Sequence, residues 1–314
     1  LIKIEDAPVY HAEDTQKIAY SMMTEDQVAI FESNYEIDFS YKVDSLCTFR
    51  VNAYYELHGI AIAFRIIPSK IPELDKLGIP SITKDLIQFQ NGLIIITGPT
   101  GSGKSTTLAA MVDYINHNYC KHIITIEDPV EFMHTSRKSL INQRQLYRHT
   151  KSFKSALRAA LREDPDVIMI GEMRDLETIR LALTAAETGH LVLATLHTRS
   201  ASQAISRIID IFDGSEKNII KHLLAGSLRG IIAQTLLKKS GGGRIAAFEI
   251  MLGTPAIQNL IRENRIAQIY SVLQTHAAYG MCTLDQSLLK LVDQSYITAD
   301  TACTAATNKE LFVK

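Results

Sequence analysis

The chain has 314 residues, room for about two domains at ~150 residues each, with cores that need no disulfide scaffold or structural metal. Hydrophobic residues make up 46% and charged residues 21%, which excludes a disordered chain. Lys and Arg number 33 against 34 Asp and Glu, and the resulting −1 gives no support to a strongly basic nucleic-acid binder.

That sum hides an uneven distribution. Residues 1–44 carry ten acids and three lysines, a net of −7, and the remaining residues carry +6. Residues 1–67 read as a small α+β unit. Thr15–Phe31 contains a helix-like stretch, with Ile18, Met22, Met23, Val28 and Phe31 at helical spacings. Two strands are expected next, Cys47–Tyr55 and Gly59–Ile67, rich in β-branched and aromatic residues. Pro68, Pro72, Gly78 and Pro80 then mark residues 68–80 as a linker.

From residue 81 to 314 the pattern is one of short apolar strands alternating with helices. The strands are Leu93–Thr97, Ile123–Ile126, Val167–Ile170 and Leu191–Thr195; the helices are Lys104–Asn118, Ser152–Glu163 and Leu176–Thr188. In the second helix Phe153, Ala156, Leu157, Ala160 and Leu161 form the stripe of a half-buried helix. Asp175 can cap the third helix and Gly189 can end it. Such alternation implies an α/β domain with a mainly parallel sheet covered by helices. The Gly241–Gly243 triplet between Ile231–Leu237 and Ile245–Leu252 predicts a hairpin, and a helical subdomain is expected from about Pro255. Cys47, Cys120, Cys282 and Cys303 are far apart and form no C-x-x-C pair, which argues against a zinc ribbon and fits a reducing cytosol. No run approaches ~18 apolar residues, so no direct membrane span is expected.

Chemistry concentrates at the ends of the four strands. Gly98-Pro99-Thr100-Gly101-Ser102-Gly103-Lys104-Ser105 is a full G-x-x-x-x-G-K-[ST] phosphate loop between a strand and a helix. Its glycines let backbone N–H groups face phosphate oxygens, and the helix N-terminus adds a favourable dipole. The expected nucleotide contacts are Gly98, Thr100, Gly101, Ser102, Gly103, Lys104, Ser105 and Thr106, with Lys104 on the β- and γ-phosphates and the Ser105 hydroxyl on Mg²⁺.

The second strand ends in Glu127-Asp128-Pro129-Val130-Glu131, where a carboxylate can polarise water near the γ-phosphate. The plain alternative is a solvated acidic turn. Gly171-Glu172-Met173-Arg174-Asp175 ends the third strand, so Glu172 can act on Mg²⁺ through water or simply pair with an arginine. Thr195-Leu196-His197-Thr198 ends the fourth, placing His197 as a phosphate sensor, with His190 the weaker candidate. A lone histidine is more often structural; four consecutive polar strand ends are the stronger signal.

At these residues the chain resembles the retraction ATPases of type IV pili, a branch of the secretion ATPase superfamily. The resemblance rests on Phe49–Asn52, Phe64–Ser69, the phosphate loop and Thr125–Phe132, the family's Asp box. It continues through Asn142-Gln143-Arg144, Ala160–Asp166, Gly171–Leu183 and the His box Glu187–Thr198. It implies a RecA-like P-loop ATPase core behind a smaller PAS-like N-terminal domain whose first strands precede Leu1. It implies Glu131 as the catalytic glutamate, Glu172 as the Walker B glutamate and His190 with His197 as the His-box pair. Arg50 and Arg65 match arginines of the PAS-like domain that approach the nucleotide and stabilise charge.

The implied assembly is a cytoplasmic homohexamer that hydrolyses Mg²⁺–ATP at the cytoplasmic face of the inner membrane. Its partner is an inner-membrane pilus platform protein, with no nucleic acid expected, and opposite charges of the two domains could steer ring assembly. Ala256–Glu263 follows the family's retraction motif with Gln258 in place of Arg, and Arg199 stands where Thr is common. The tetracysteine element of assembly and secretion ATPases is missing, which favours the retraction branch over another secretion-system ATPase. A nucleic-acid translocase is the competing class, supported by eight Lys or Arg and no acid over Arg137–Arg162, with only Tyr147 and Phe153 to stack bases. A scaffold that binds nucleotide without hydrolysing it is disfavoured by the intact Lys104, Glu131 and Glu172.

Overall fold

The structure, a computed structural model, describes Glu5 and residues 7–43, 47–67 and 70–313. The chain divides into two compact units, Leu1–Lys70 and Ile71–Lys314.

In the first unit two helices, α1 (Ala12–Ser21) and α2 (Glu25–Asn34), precede an antiparallel meander of β1 (Glu36–Val43), β2 (Cys47–Glu56) and β3 (Gly59–Ile67). The one helical stretch expected over Thr15–Phe31 is therefore split. Thr24 Oγ1 accepts from Gln27 N–H at 3.3 Å while Gln27 Oε1 accepts from Thr24 N–H at 2.9 Å. This reciprocal box starts a new helix, and T-x-x-Q was its signal. Strand β1 was not expected, although E-I-D-F-S-Y-K-V alternates; Phe39 pairs with Val51 of β2. Both are buried with Ala19, Phe31, Ala53 and Ile60, so one face of the meander meets the helices.

Leu74 is buried in the same apolar cluster as Leu86, Ile94 and Met111, with Ile71, Leu77 and Ile79 packed against it. Residues 71–80 thus belong to the second unit and do not serve as the linker expected over 68–80. Apolar burial overrides the proline and glycine punctuation; Pro68 and Ser69 lie outside the described residues.

The second unit runs α3 (Ile82–Leu86), β4 (Gly92–Thr97), α4 (Lys104–Asn118), β5 (His122–Glu127), β6 (Leu140–Gln145), α5 (Phe153–Ala160), β7 (Val167–Ile170) and α6 (Leu176–Glu187). Then come β8 (Leu191–Leu196), α7 (Ala201–Asp210), α8 (Gly214–Ser227), β9 (Leu228–Lys238) and β10 (Arg244–Leu252). Four helices close it: α9 (Pro255–Arg262), α10 (Ile269–Thr275), α11 (Leu284–Asp293) and α12 (Ala299–Ala305). The sheet order is β10-β9-β4-β8-β7-β5-β6, parallel except for the β9–β10 hairpin.

Strand β4 shows why the sheet needs helices on both faces. Leu93 and Ile95 enter the cluster built by α5 to α8, and Ile94 and Ile96 enter the one built by α4. Side chains alternate along a strand, so a strand buried on both faces reads as a continuous apolar run. Strand β6, not expected from sequence, is the opposite case. L-I-N-Q-R-Q forms a sheet edge, where polar residues are tolerated and basic neighbours discourage further pairing. Helix α6 is capped as expected, Asp175 Oδ1 accepting from Thr178 N–H at 2.8 Å. Among the described residues no helix is long and apolar enough to cross a membrane.

Candidate active site

Strand β4 stops at Thr97 because Gly98 turns the chain at φ +147°. A Cβ there would lie 2.2 Å from the Gln234 carbonyl oxygen, so only glycine fits. Gly103, at φ +91°, hands the chain into α4, whose first turn holds no acid to oppose an anion. Pro99, Thr100 and Gly101 form the exposed tip, Ser105 and Thr106 are half-buried in the first turn, and Ser102 is buried. Lys104 is only 8% exposed. Its Nζ donates to the carbonyls of Gly98 at 2.9 Å and Pro99 at 3.1 Å. Burial pushes its pKa below the usual lysine range, while the charges of Glu172 and Glu131 hold the proton on.

The neighbouring strand ends converge on this lysine. His197, just past β8, lies with Nδ1 3.5 Å from Lys104 Nζ and Nε2 3.2 Å from Glu172 Oε2. The other partner of Glu172 Oε2 is Arg174 Nε at 2.8 Å, and Arg174 also reaches Asp128 at 3.7 Å. Glu172 thus has the arginine partner that the plain reading foresaw, and in addition joins a network leading to the phosphate loop. Two threonine hydroxyls and one backbone bond set these ends side by side. Thr97 Oγ1 donates to the Thr198 carbonyl at 2.7 Å and accepts from Thr198 N–H at 3.0 Å. Thr195 Oγ1 donates to the Gly171 carbonyl, and Met173 N–H donates to the Thr195 carbonyl at 3.1 Å.

Glu131 is exposed, beside buried Phe132, in the loop after β5, and its charge is felt at Lys104. Glu127, at the end of β5, is 6% exposed and accepts from Thr125 Oγ1 at 2.6 Å. Burial raises its pKa, against the opposing hydrogen bonds of Thr125, Gln143 and the Glu131 backbone. His190 is not brought to this edge. It precedes β8, with Nδ1 3.0 Å from the Ala185 carbonyl, and the six residues of β8 separate it from His197 by about 20 Å.

Arg50 and Arg65 lie in the first unit as direct cross-strand partners of β2 and β3. They occupy the meander face opposite Val51, and Arg50 reaches Asp38 at 3.5 Å. The basic run 137–162 is partly neutralised: Arg144 pairs with Glu163 at 3.1 Å and Lys154 with Glu177 at 3.0 Å. Of its two aromatics Tyr147 is 84% exposed, but Phe153 is in the core and unavailable for stacking. Gln258 donates to the Gly253 carbonyl at 3.0 Å, and Arg199 N–H donates to Gln203 Oε1 at 3.1 Å.

Gln234 of β9 was not expected here. Its Nε2 donates to the Ser102 carbonyl at 2.7 Å and its Oε1 accepts from Thr107 Oγ1 at 2.8 Å, fixing the loop from behind. A glutamine just after the apolar run Ile231-Ile232-Ala233 was the available signal.

The arrangement suits a polyphosphate anion on the loop and a hydroxyl and carboxylates for a hard cation, with the charge of Glu131 acting on Lys104. Among the described residues no group of three or more His, Cys, Asp or Glu can hold a metal ion alone. The Ser105 hydroxyl in the first turn of α4 and the Glu172 carboxylate are oxygen donors of the kind Mg²⁺ takes, one or two from protein with phosphate and water completing its shell.

A sequence profile of the family described as Type II/IV secretion system protein matches residues 18–242. The chain is 51% identical to the type IV pilus retraction ATPase PilT of Pseudomonas aeruginosa, over 99% of this chain and 90% of that protein. It is 52% identical to a twitching motility protein of Neisseria gonorrhoeae, over 96% of this chain and 81% of that protein. Among solved structures, that of the pilus retraction motor PilT with bound ADP superposes with a TM-score of 0.90 at 50% identity, covering 95% of this chain and 85% of that one. The chain belongs to the Type II/IV secretion system protein family, in the group that holds the pilus retraction ATPases.

Proposed function

We propose that this chain is a Mg²⁺-dependent ATPase that powers type IV pilus retraction, and with it twitching motility. It works as a homohexamer at the cytoplasmic face of the inner membrane, against a pilus platform protein in that membrane. The observation that carries the ATPase reading is the Lys104–His197–Glu172 network at the mouth of a complete phosphate loop. The retraction assignment rests on similarity to PilT over 99% of the chain.

In this reading the loop from Gly98 to Thr106 binds the phosphates, and the Lys104 ammonium exchanges its two carbonyl acceptors for phosphate oxygens. Ser105 and Glu172 hold Mg²⁺, which supplies charge neutralisation on the phosphates when bound. Glu131 orients the attacking water and takes its proton. His197 reports the state of the phosphates from Lys104 to Glu172. Phosphoryl transfer needs charge stabilisation more than covalent help. Arg50 and Arg65 supply it when an N-terminal unit closes on the nucleotide, and loss of the γ-phosphate releases them. That release couples hydrolysis to domain movement in the ring.

The deciding experiment is a deletion strain scored for surface pili and twitching, complemented with wild type and with Lys104→Ala. Excess pili without twitching, restored only by wild type, is the expected result. Bald cells would point to an assembly motor.

A further inference from the structure

The segment Asn142-Gln143-Arg144 has no part in the proposed reaction, yet Gln143 lies directly beside the loop that carries Glu131. Gln143 sits on β6 opposite Thr125 of β5. Its Nε2 donates to Glu127 Oε1 at 3.2 Å and to the Phe132 carbonyl at 2.9 Å. Its Oε1 accepts from His134 N–H at 2.7 Å. The Glu131 backbone also favours the charged form of Glu127. Two residues along β6, on the same face, Gln145 Oε1 accepts from Val130 N–H at 3.4 Å. The backbone at residues 130, 132 and 134 is therefore tied to two glutamines of β6, one of them bonded in turn to Glu127 of β5.

This bracing is unusual for a surface loop. Connecting segments ordinarily satisfy their backbone groups with water and move accordingly. Here the exposed Glu131 side chain stands on a backbone fixed by groups that are themselves fixed. Thr125 and Gln143 both bond Glu127 Oε1, and Glu127 is nearly fully buried, so its carboxylate depends on protein donors. Gln143 uses both ends of its amide at once, which neither a shorter nor an apolar side chain can do.

We propose that Gln143, acting with Glu127, is the positioning residue for Glu131. It sets the backbone just after that glutamate, at Phe132 and His134, so that the carboxylate meets the attacking water at a constant distance from the phosphate loop. The inference rests on the reading of Glu131 as the group that activates water. Neither Gln143 nor Glu127 touches the reacting atoms.

The test is steady-state ATP hydrolysis with Mg²⁺ by the full chain in its native oligomer, for Gln143→Ala, Glu127→Gln and Glu131→Gln. It is paired with ADP binding and amide hydrogen exchange over residues 128–134. Gln143→Ala is expected to lower kcat about 10- to 100-fold, the scale of a small misplacement of a catalytic group. KM for ATP and Kd for ADP stay near wild type, and exchange quickens at Val130–His134. An unchanged kcat, or a KM that rises as much as kcat falls, overturns the proposal. Should Gln143→Ala fail to fold, Glu127→Gln, which keeps the side-chain shape, carries the same expectation. Glu131→Gln separates the two ideas. If it hydrolyses ATP normally, the reading of Glu131 fails, and the brace fails with it. If it is inactive while the Gln143 and Glu127 variants turn over normally, the brace alone fails.

Discussion

His197 Nδ1 lies 3.5 Å from Lys104 Nζ, and this one contact joins two strand ends that the sequence separates by 93 residues. An ammonium has no lone pair, so Nδ1 must accept, which leaves the Nε2–H to donate to Glu172 at 3.2 Å. The pair thereby fixes which ring nitrogen faces which partner and links Lys104 of the phosphate loop to Glu172. His197→Ala should cut kcat about 10- to 100-fold. ADP affinity should hold, and steady-state kinetics beside ADP titration checks both.

Binding and chemistry should separate at the next two residues. Lys104→Ala removes the buried cation from the loop and should weaken both ADP and ATP strongly, seen by calorimetry. Glu131→Gln should leave nucleotide affinity intact and abolish phosphate release. Full turnover in Glu131→Gln would strike that residue from the mechanism.

Gln234 should matter to the loop's shape. Gln234→Ala leaves the Ser102 carbonyl and the Thr107 hydroxyl without their partner. Each buried polar group so stranded costs about 1–3 kcal/mol. A lower melting temperature and weaker ADP binding are expected together. Denaturation of the free protein and ADP titration would show it.

The first unit's arginines carry a kinetic expectation. Arg65→Ala should lower kcat by up to about 10³-fold, the smaller end of what an arginine finger supplies, with little change in KM. Arg50→Ala should act in the same sense, since the two are cross-strand partners on one face. An unchanged kcat in both variants would remove them from the transition state.

Glu249 gives a pH dependence. It is buried and accepts from Ala201 N–H at 2.7 Å. Burial raises its pKa above the ordinary glutamate value, the Ala201 hydrogen bond opposes this, and nearby Asp285 adds to it. In the window between the unfolded value, about 4.3, and the raised folded value, the folded chain holds more protons. Stability from this group is therefore fully present below that window and lost as pH rises through it. Thermal melts across that window should show a shallower pH slope for Glu249→Gln than for wild type; equal slopes would refute the assignment.

Much of the site was legible because it is local. The phosphate loop depends on glycines at fixed offsets between a strand and a helix, and Lys104–Asn118 forms with the expected ends. The β-strands buried on both faces were visible as apolar runs for the same reason. What escaped was structure whose cause lies elsewhere in the chain. Strand β6 is polar and exists because β5 offers it an edge, and β1 is fixed by its pairing with β2. Thr24 carries a capping signal of its own, masked because helical spacing continues across it. His190 and His197 flank one short strand, so the spacing already implied opposite ends of it.

The sequence by itself determined that a phosphate loop stands at the edge of a parallel sheet, with acids and a histidine at the neighbouring strand ends. Backbone conformation and strand burial are set within a few residues, so they survive in one dimension. Only the tertiary structure decided which of those groups meet. His197 bridges Lys104 and Glu172, and His190 does not. Gln234 reaches the loop across 132 residues, and Gln143 braces the loop of Glu131. Hydrogen bonds act over about 3 Å, and which atoms come that close depends on strand order and register, which no local pattern encodes.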